Sequence, residues 1–417
     1  MDAVTAIVSR EPDQPLALNW SLEQVEVRPP GDDEVLVQIH ASGICHTDIV
    51  LSAVPSGTLG IEYPKVFGHE GAGIALTVGK NVHSVEAGDP VLLSFSSCSA
   101  CAQCLASHPA YCDSFASRNY VGQQGSMRTN NDSKPLWSQF FGQSSFAQYN
   151  TVHKSTVVNA KALIRDPSEL KLFAPLGCGF QTGMGAVQNI TQAGPNDIVM
   201  ISGLGAVGMG ALMTAKIIGC KTIIAVDRMK SRLELAKEIG ATHAIDTSDS
   251  NFSTLDSAVR SIVPMGASIA IDTTGVPFII EQSIQSTHAR GKVVYIGIPP
   301  LDFTLNINLV EHINKGRAIL GCIEGDCDPQ EVCIPPLNPL NIVLTLVPGY
   351  STDDPVVPRK EIPLRSFRAV FRGAPSQSKT SKVGQSTDLK EQATDYPKAL
   401  AGLKDGRFIK PVLVWSH

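Results

Sequence analysis

The reading of this chain turns on residues 198–227. An apolar run, Ile198-Val199-Met200-Ile201, leads into Gly203-Leu204-Gly205-Ala206-Val207-Gly208. An Ala-, Met- and Leu-rich segment follows from Met209 to Ile218, and then Thr222-Ile223-Ile224-Ala225-Val226, ending on Asp227. That is strand, tight glycine turn, helix, strand. Gly203, Gly205 and Gly208 stand at G-x-G-x-x-G spacing, which lets a backbone approach a pyrophosphate at a helix N-terminus. Asp227 lies roughly 20 residues past the glycines, where an acid can hold the ribose 2′-hydroxyl of NAD. A Gly-rich packing turn explains the glycines but not the acid. Arg228 beside it is a residue type that accepts a 2′-phosphate, which keeps NADP in play. An intact Asp227 repels that phosphate, so NAD is the expected cofactor.

Outward from this stretch, residues 179–320 alternate helix and strand. Arg232 to Ala236 reads as helix, and Thr242 to Asp246 opens a strand. Ser268 to Thr273 and Lys292 to Ile296 are two more strands. Short-linked βα units mean a doubly wound parallel sheet. At 417 residues the chain exceeds one ordinary core, so two domains are expected.

The totals exclude several classes. A formal charge of −5 offers no basic surface for nucleic acid. No apolar run approaches the ~20 residues of a membrane span. Met1-Asp2-Ala3-Val4 has neither a charged n-region nor a long apolar h-region, so a cytoplasmic location is expected. Ten cysteines in a large chain without an export signal point to metal rather than disulfides.

Upstream, residues 4–9 and 34–40 read as strands, with a turn at Pro29-Pro30-Gly31. Three glycine-flanked loops follow: Gly43-Ile44-Cys45-His46-Thr47-Asp48, Gly68-His69-Glu70-Gly71, and Pro175-Leu176-Gly177-Cys178-Gly179. Two cysteines and a histidine can form a three-ligand zinc site with one open position. Ligands so far apart along the chain meet only if the fold brings them together. The second constellation is local: Cys98-x₂-Cys101-x₂-Cys104-x₇-Cys112. Four thiolates on a compact loop suit a closed tetrahedral zinc site or an iron–sulfur cluster. The long last gap and the absence of a proline after Cys112 favour zinc.

These motifs, in this order, resemble the zinc-dependent medium-chain alcohol dehydrogenases, and most closely their aryl (benzyl-type) branch, over residues 3–330 and again from Gly406 to Trp415. The resemblance implies an α/β fold: a GroES-like β-rich catalytic domain over 1–178, with a structural-zinc lobe at 95–115, a Rossmann domain over 179–320, and a return to the catalytic domain over 321–417. It implies that Cys45, His69 and Cys178 hold a catalytic zinc, the Cys₂His set for which alcohol dehydrogenases are known, and that a second zinc per subunit sits in the lobe. Asp48 would orient His69, and Glu70 would lie behind the metal. Thr47 would relay the alcohol proton. Relatives pass it on through a histidine where this chain has Val50, so water or His46 would continue the path. His46 would otherwise face the cofactor pyrophosphate.

Thr182 matches a position beside the nicotinamide, or else caps a helix beginning near Gly183. Arg232 and Lys410 would contact the cofactor, Lys410 at its phosphates unless it is an ordinary solvated lysine. Phe95 would line the substrate pocket, while Phe141 and Phe146 read as core within a strand-like segment, 140–146. Thr304 to Val310 and Ala318 to Ile323 resemble the edges by which relatives form homodimers or homotetramers. The implied activity interconverts primary aryl or allylic alcohols and aldehydes by hydride transfer. The alternatives are a natural-product aldehyde reductase using NADPH and a non-catalytic nucleotide-binding homologue.

The family pattern stops over residues 331–390. Eight prolines from Pro335 to Pro375 break helices, and the polar run Ser376 to Thr387 reads as disordered. The stretch is either an insertion or translated intron in place of a family exon.

Overall fold

The computed structural model describes residues 3–14, 16–130, 133–332 and 393–417. The proline-dense and polar stretch read from the sequence lies outside the described residues, apart from its first two positions. Those close a short helix, Pro329–Val332.

Three sheets organise the described residues. Two belong to the β-rich part. Val4–Ser9, Trp20–Val27, Gln123–Thr129, Pro135–Ser138 and Lys65–Val66 close into a small barrel. A six-stranded sheet runs Val157–Asn159, Pro90–Leu93, Gly71–Val78, Glu34–Gly43 and Val412–Val414, with Tyr149–His153 pairing beside Glu34–Gly43. The central strand places Val35, Val37, Ile39 and Ala41 on one face, fully buried as core, and the half-buried Gln38 and His40 on the other. The C-terminal strand pairs Val412 with Gly43 and Val414 with Ala41, so the last residues complete the first sheet.

The third sheet has six parallel strands. In chain order these are Ile198–Ser202, Thr222–Asp227, His243–Asp246, Ala267–Asp272, Thr287–Tyr295 and Ala318–Gly321, and they lie in the spatial order 3-2-1-4-5-6. Val199, Met200 and Ile201 are wholly buried because helices cover both faces. Strand order reverses between the strands starting at Ile198 and Ala267, and such a switch point is where open α/β sheets bind ligands. This is the GroES-like plus Rossmann architecture the sequence implies.

Two local readings are corrected. Residues 140–146 are not strand: Phe140–Gly142 is a single helical turn with Phe141 at φ 52°, and Ser144 lies at φ 45°. The polar groups there are consumed by cross-links, since Ser144 Oγ donates to Val66 O at 2.6 Å and Phe140 N–H to Ser144 Oγ at 2.8 Å. The helix expected near Gly183 begins at Gly179 and runs to Gly185, so Thr182 is interior to it and is no cap. A helix not read from the sequence, Tyr396–Lys404, donates its Tyr396 hydroxyl to Trp20 O at 2.7 Å. It docks the returning chain on the barrel.

Candidate active site

Antiparallel register brings the first two ligand loops together. Ser42 pairs with Gly71 and Ala41 with Ala72, so the end of Glu34–Gly43 lies beside the start of Gly71–Val78. Cys45 follows the first strand and His69 precedes the second. Cys45 is also the N-cap of the helix His46–Leu51, and its N–H donates to Asp48 Oδ2 at 2.9 Å. Asp48 therefore faces back, and its Oδ1 lies 2.8 Å from His69 Nδ1. The close approach of the loops needs a glycine, because a Cβ on Gly43 would sit 2.0 Å from Glu70 Oε2. Cys178 arrives from the Rossmann side, at the N-cap of Gly179–Gly185. The ligand atoms of Cys45, His69, Glu70 and Cys178 all lie within 4.8 Å of one another.

A metal fits this set. His69 is fully buried. With Nδ1 taken by Asp48, its Nε2 is left without a hydrogen-bond partner. A buried, unpaired ring nitrogen beside two sulfurs is costly unless something coordinates it. The Cys45 thiol is held well below the usual thiol range, first by its hydrogen bond with Cys178 and further by the Lys410 ammonium. Thiolate is the form that binds metal. The face of the His69 ring stacks on Phe141, with centroids 4.5 Å apart and planes at 26°. Phe141 is thus a wall of the site as well as core. Phe115 and Tyr120 stand 6.1 and 5.9 Å from Phe141, and Phe95 is 5.9 Å from Phe115. Phe146 packs on Trp20 at 5.5 Å, as core.

For Lys410 the solvated alternative is corrected. This lysine is neither solvated nor at the surface: its Nζ pairs with Glu70 Oε1 at 2.7 Å, and both side chains are buried. Burial lowers its affinity for a proton, but the Cys45 and Glu70 anions outweigh this and hold it above the usual lysine range. Thr47 Oγ1 is 3.8 Å from Cys45 Sγ, at the edge of the cluster. His46 is exposed.

Two glutamines that sequence reasoning missed hold the loops. Gln143 Nε2 donates to His69 O and Ser94 O, each at 2.8 Å, and its Oε1 accepts from Gly71 N–H at 3.0 Å. Gln181 Nε2 lies 2.9 Å from Gly177 O and 2.8 Å from Ser94 Oγ. Fully buried amides of this kind are spent on fixing backbone. The only sequence signal was a polar residue amid Gly, Ser and Phe.

The nucleotide loop is built as its glycines require. Gly203 has φ +87°. A Cβ on Gly208 would lie 1.8 Å from Gly203 O, whereas one on Gly205 would meet nothing within 4 Å. Open space at Gly205, at the N-cap of Ala206–Ile218, is the cradle a phosphate would fill. Asp227 closes the loop, accepting from Leu204 N–H at 2.7 Å and Met229 N–H at 2.9 Å. Arg232 lies 4.0 Å from Asp227 and reaches Phe408 O at 3.5 Å. Arg228 is exposed. Helix Gly179–Gly185 packs directly on this loop's helix, since a Cβ on Gly183 would sit 2.0 Å from Val207 O. The metal cluster and the nucleotide loop are therefore neighbours, and Thr182 lies on the helix that joins them.

The second cluster also closes. The sulfurs of Cys98, Cys101, Cys104 and Cys112 lie within 4.8 Å of one another. Backbone N–H groups of Ala100 and Cys101 point at Cys98 Sγ, at 3.5 and 3.3 Å, and pull its thiol down to about 6.

Comparison with known proteins agrees with this geometry. Residues 31–162 match the alcohol dehydrogenase GroES-like domain, and residues 206–334 match the zinc-binding dehydrogenase family. The chain is 36% identical over 329 residues to the geraniol dehydrogenase of Castellaniella defragrans, covering 78% of this chain and 84% of that one. It is similar to the structure of an alcohol dehydrogenase zinc-binding domain protein from Burkholderia ambifaria (TM-score 0.81, 33% identity, 100% and 99% of the two chains). It is also similar to that of benzyl alcohol dehydrogenase from Acinetobacter calcoaceticus (TM-score 0.79, 29% identity, 100% of both chains). The chain belongs to the zinc-dependent medium-chain alcohol dehydrogenase family. It is a zinc-containing alcohol dehydrogenase that uses a nucleotide cofactor and acts on small-molecule alcohols. Among the described residues, no helix is long and apolar enough to cross a membrane.

Proposed function

We propose that this enzyme interconverts primary aryl or allylic alcohols and their aldehydes, with NAD as hydride acceptor. One zinc is held by Cys45, His69 and Cys178, and a second by Cys98, Cys101, Cys104 and Cys112. The observation that carries the reading is the unpartnered His69 Nε2 among the Cys45 and Cys178 sulfurs, next to the nucleotide loop. Phe141 stacked on His69, with Phe115 and Tyr120 against it and Phe95 against Phe115, supports a flat, apolar substrate body. The names of the geraniol and benzyl alcohol dehydrogenases point the same way.

Zinc at such a position supplies Lewis-acid polarisation of the alcohol oxygen, and the nicotinamide ring accepts the hydride. The chain does the rest. Asp48 fixes the His69 tautomer and ring plane. Thr47 takes the hydroxyl proton and passes it outward to water or His46. Lys410 neutralises Glu70 behind the cluster. Gly203, Gly205 and Gly208 seat the pyrophosphate, Asp227 holds the ribose, and Arg232 flanks it. Thr182 steadies the nicotinamide end. The edge strand Ala318–Gly321 and the exposed Leu309, Val310 and Ile313 support a homodimer or homotetramer.

The test is a scan of primary alcohols with NAD and NADP, alongside zinc analysis and a Cys45→Ser variant. Aryl or allylic alcohols should turn over with NAD. Cys45→Ser should lose turnover and still bind nucleotide. A folded protein carrying two zincs that oxidises no primary alcohol sinks the reading.

A further inference from the structure

One seven-residue bend, Gly321–Cys327, contacts both the four-cysteine lobe and the Cys45–His69–Cys178 cluster. On its outer side, the Tyr111 hydroxyl, next to Cys112, donates to Gly321 O at 3.2 Å. His108, midway between Cys104 and Cys112, has its Nδ1 2.8 Å from Asp326 Oδ2. On its inner side, two residues from Asp326, Glu324 is buried with Oε1 3.6 Å from Cys178 Sγ and Oε2 2.9 Å from Gln181 Nε2. Gln181 is the amide that also reaches Gly177 O, one residue before Cys178.

The bend has little freedom to be anywhere else. Glu324, Gly325 and Asp326 are all left-handed, at φ 50°, 71° and 48°. Two non-glycine residues in that region cost energy and persist only where their surroundings hold them. Asn189 Nδ2 clamps Gly325 O at 3.2 Å and Asp326 O at 3.0 Å. A Cβ on Gly185 would lie 2.0 Å from Gly325 O, so the bend rests on the backbone of the Cys178 helix. Asp326 Oδ1 is buried without a partner. Its carboxylate is thus committed to His108 through one oxygen only. From the lobe to Cys178 the path is a chain of direct contacts through packed backbone, the kind of connection that transmits displacement.

We propose that this bend ties the two metal sites together: metal in the four-cysteine lobe holds His108 and Tyr111 in place, these hold Asp326 and Gly321, and Glu324 is thereby seated against Cys178 and Gln181. Glu324 and Asp326 are positioning residues, acting on the substrate-side metal through its ligand. Loss of metal from the lobe loosens Cys178, and by reciprocity a filled Cys45–His69–Cys178 cluster strengthens metal binding in the lobe. The inference rests on both clusters being zinc sites, as proposed above.

The test uses the full-length, zinc-loaded protein and the variants Asp326→Asn and His108→Ala, alone and together. Three readouts serve: zinc per chain, the rate of zinc transfer to a chromogenic chelator, and the visible spectrum after cobalt replaces zinc. A Cys45→Ser chain identifies which release phase belongs to which cluster. Each single variant should keep two zincs but release the one at Cys45–His69–Cys178 about tenfold faster, at the lower end of what losing a ligand-orienting partner costs. The double variant should be no faster than the singles, since both break one contact. Glu324→Ala should shift the cobalt bands, and Glu324→Gln, which still reaches Gln181, should restore them. Unchanged release and unchanged bands, with two zincs retained, overturn the tie while leaving the zinc sites intact. His108 is half exposed, so its variant reads the contact even if Asp326→Asn does not fold. A chain that binds fewer than two zincs before any substitution overturns the two-zinc reading itself, and the tie with it.

Discussion

The two cysteine clusters hold similar atoms by opposite means. In the lobe, four sulfurs come from fifteen consecutive positions, Cys98 to Cys112, and three of the four residues are only half-buried. Their geometry is local, set by turns whose N–H groups point at sulfur, as Asp113 N–H does to Cys101 at 3.5 Å. In the other cluster, Cys45, His69 and Cys178 come from three elements, and His69 and Cys178 are buried. There His69 is fixed by long-range hydrogen bonds from Asp48 and Gln143, and Gln181, which holds Gly177 beside Cys178, is itself anchored on the distant Ser94 and Glu324. A closed site can be written into a short loop. An open site, which must keep a corner for substrate, has its ligands held from behind by the whole fold.

The comparison breaks most sharply under ligand removal. Cys45→Ser should cut turnover by on the order of 10³-fold or more, because Lewis-acid assistance is worth several kcal/mol and each 1.36 kcal/mol is tenfold. It should cost one zinc per chain by metal analysis and barely move the melting temperature. Cys112→Ser should do the reverse first. It should cost the other zinc and lower the unfolding midpoint strongly, because structural-zinc binding energy is folding energy. If the two variants behave alike in calorimetry, the division of labour is wrong.

Next in size are the holding amides. Gln143→Leu and Gln181→Leu should each weaken metal binding at Cys45–His69–Cys178 by about 10–100-fold, measured by competition with a chelator, and weaken the lobe's hold on zinc far less. Equal loss from both clusters would mean that the glutamines merely support folding. Asp227→Ser sharpens the picture from outside either cluster. It should raise the Michaelis constant for NAD by about tenfold, the worth of a charge-assisted hydrogen bond, improve use of NADP, and leave zinc content unchanged.

Last comes Lys65, which belongs to neither ligand set and is read by stability rather than by activity. Its ammonium is buried, donates to Val121 O at 2.6 Å and lies 5.9 Å from the ring of Phe140, whose own ring meets His69 at 5.7 Å. Burial pushes its pKa down to about 7. Between about pH 7 and lysine's ordinary range near ~10.4, the unfolded chain binds the extra proton. Wild-type stability should therefore rise with pH across that window. In Lys65→Met this contribution should vanish, so a denaturation series on both proteins that shows the same slope would contradict it.

Much was legible from residues alone. The glycine turn and Asp227 announced a nucleotide-binding βαβ unit, and C-x₂-C-x₂-C-x₇-C announced the lobe, because both depend on neighbours within a few dozen residues. Misreadings occurred where distant contacts overrule local pattern. Residues 140–146 look like strand until Ser144 and Gln143 are pulled onto the His69 and Val66 loops. For Lys410 the solvated alternative falls because Glu70, 340 positions away, captures it. The helix Tyr396–Lys404 follows directly on a stretch whose prolines obscured the family pattern. Residue spacing along the chain thus determined the lobe and the phosphate cradle. Which loops meet at His69, what stands behind Cys178 and which aromatic face covers the ring were decided only by tertiary structure, because hydrogen bonds and ring contacts depend on distance in space, and antiparallel register and helix packing, not sequence separation, set that distance.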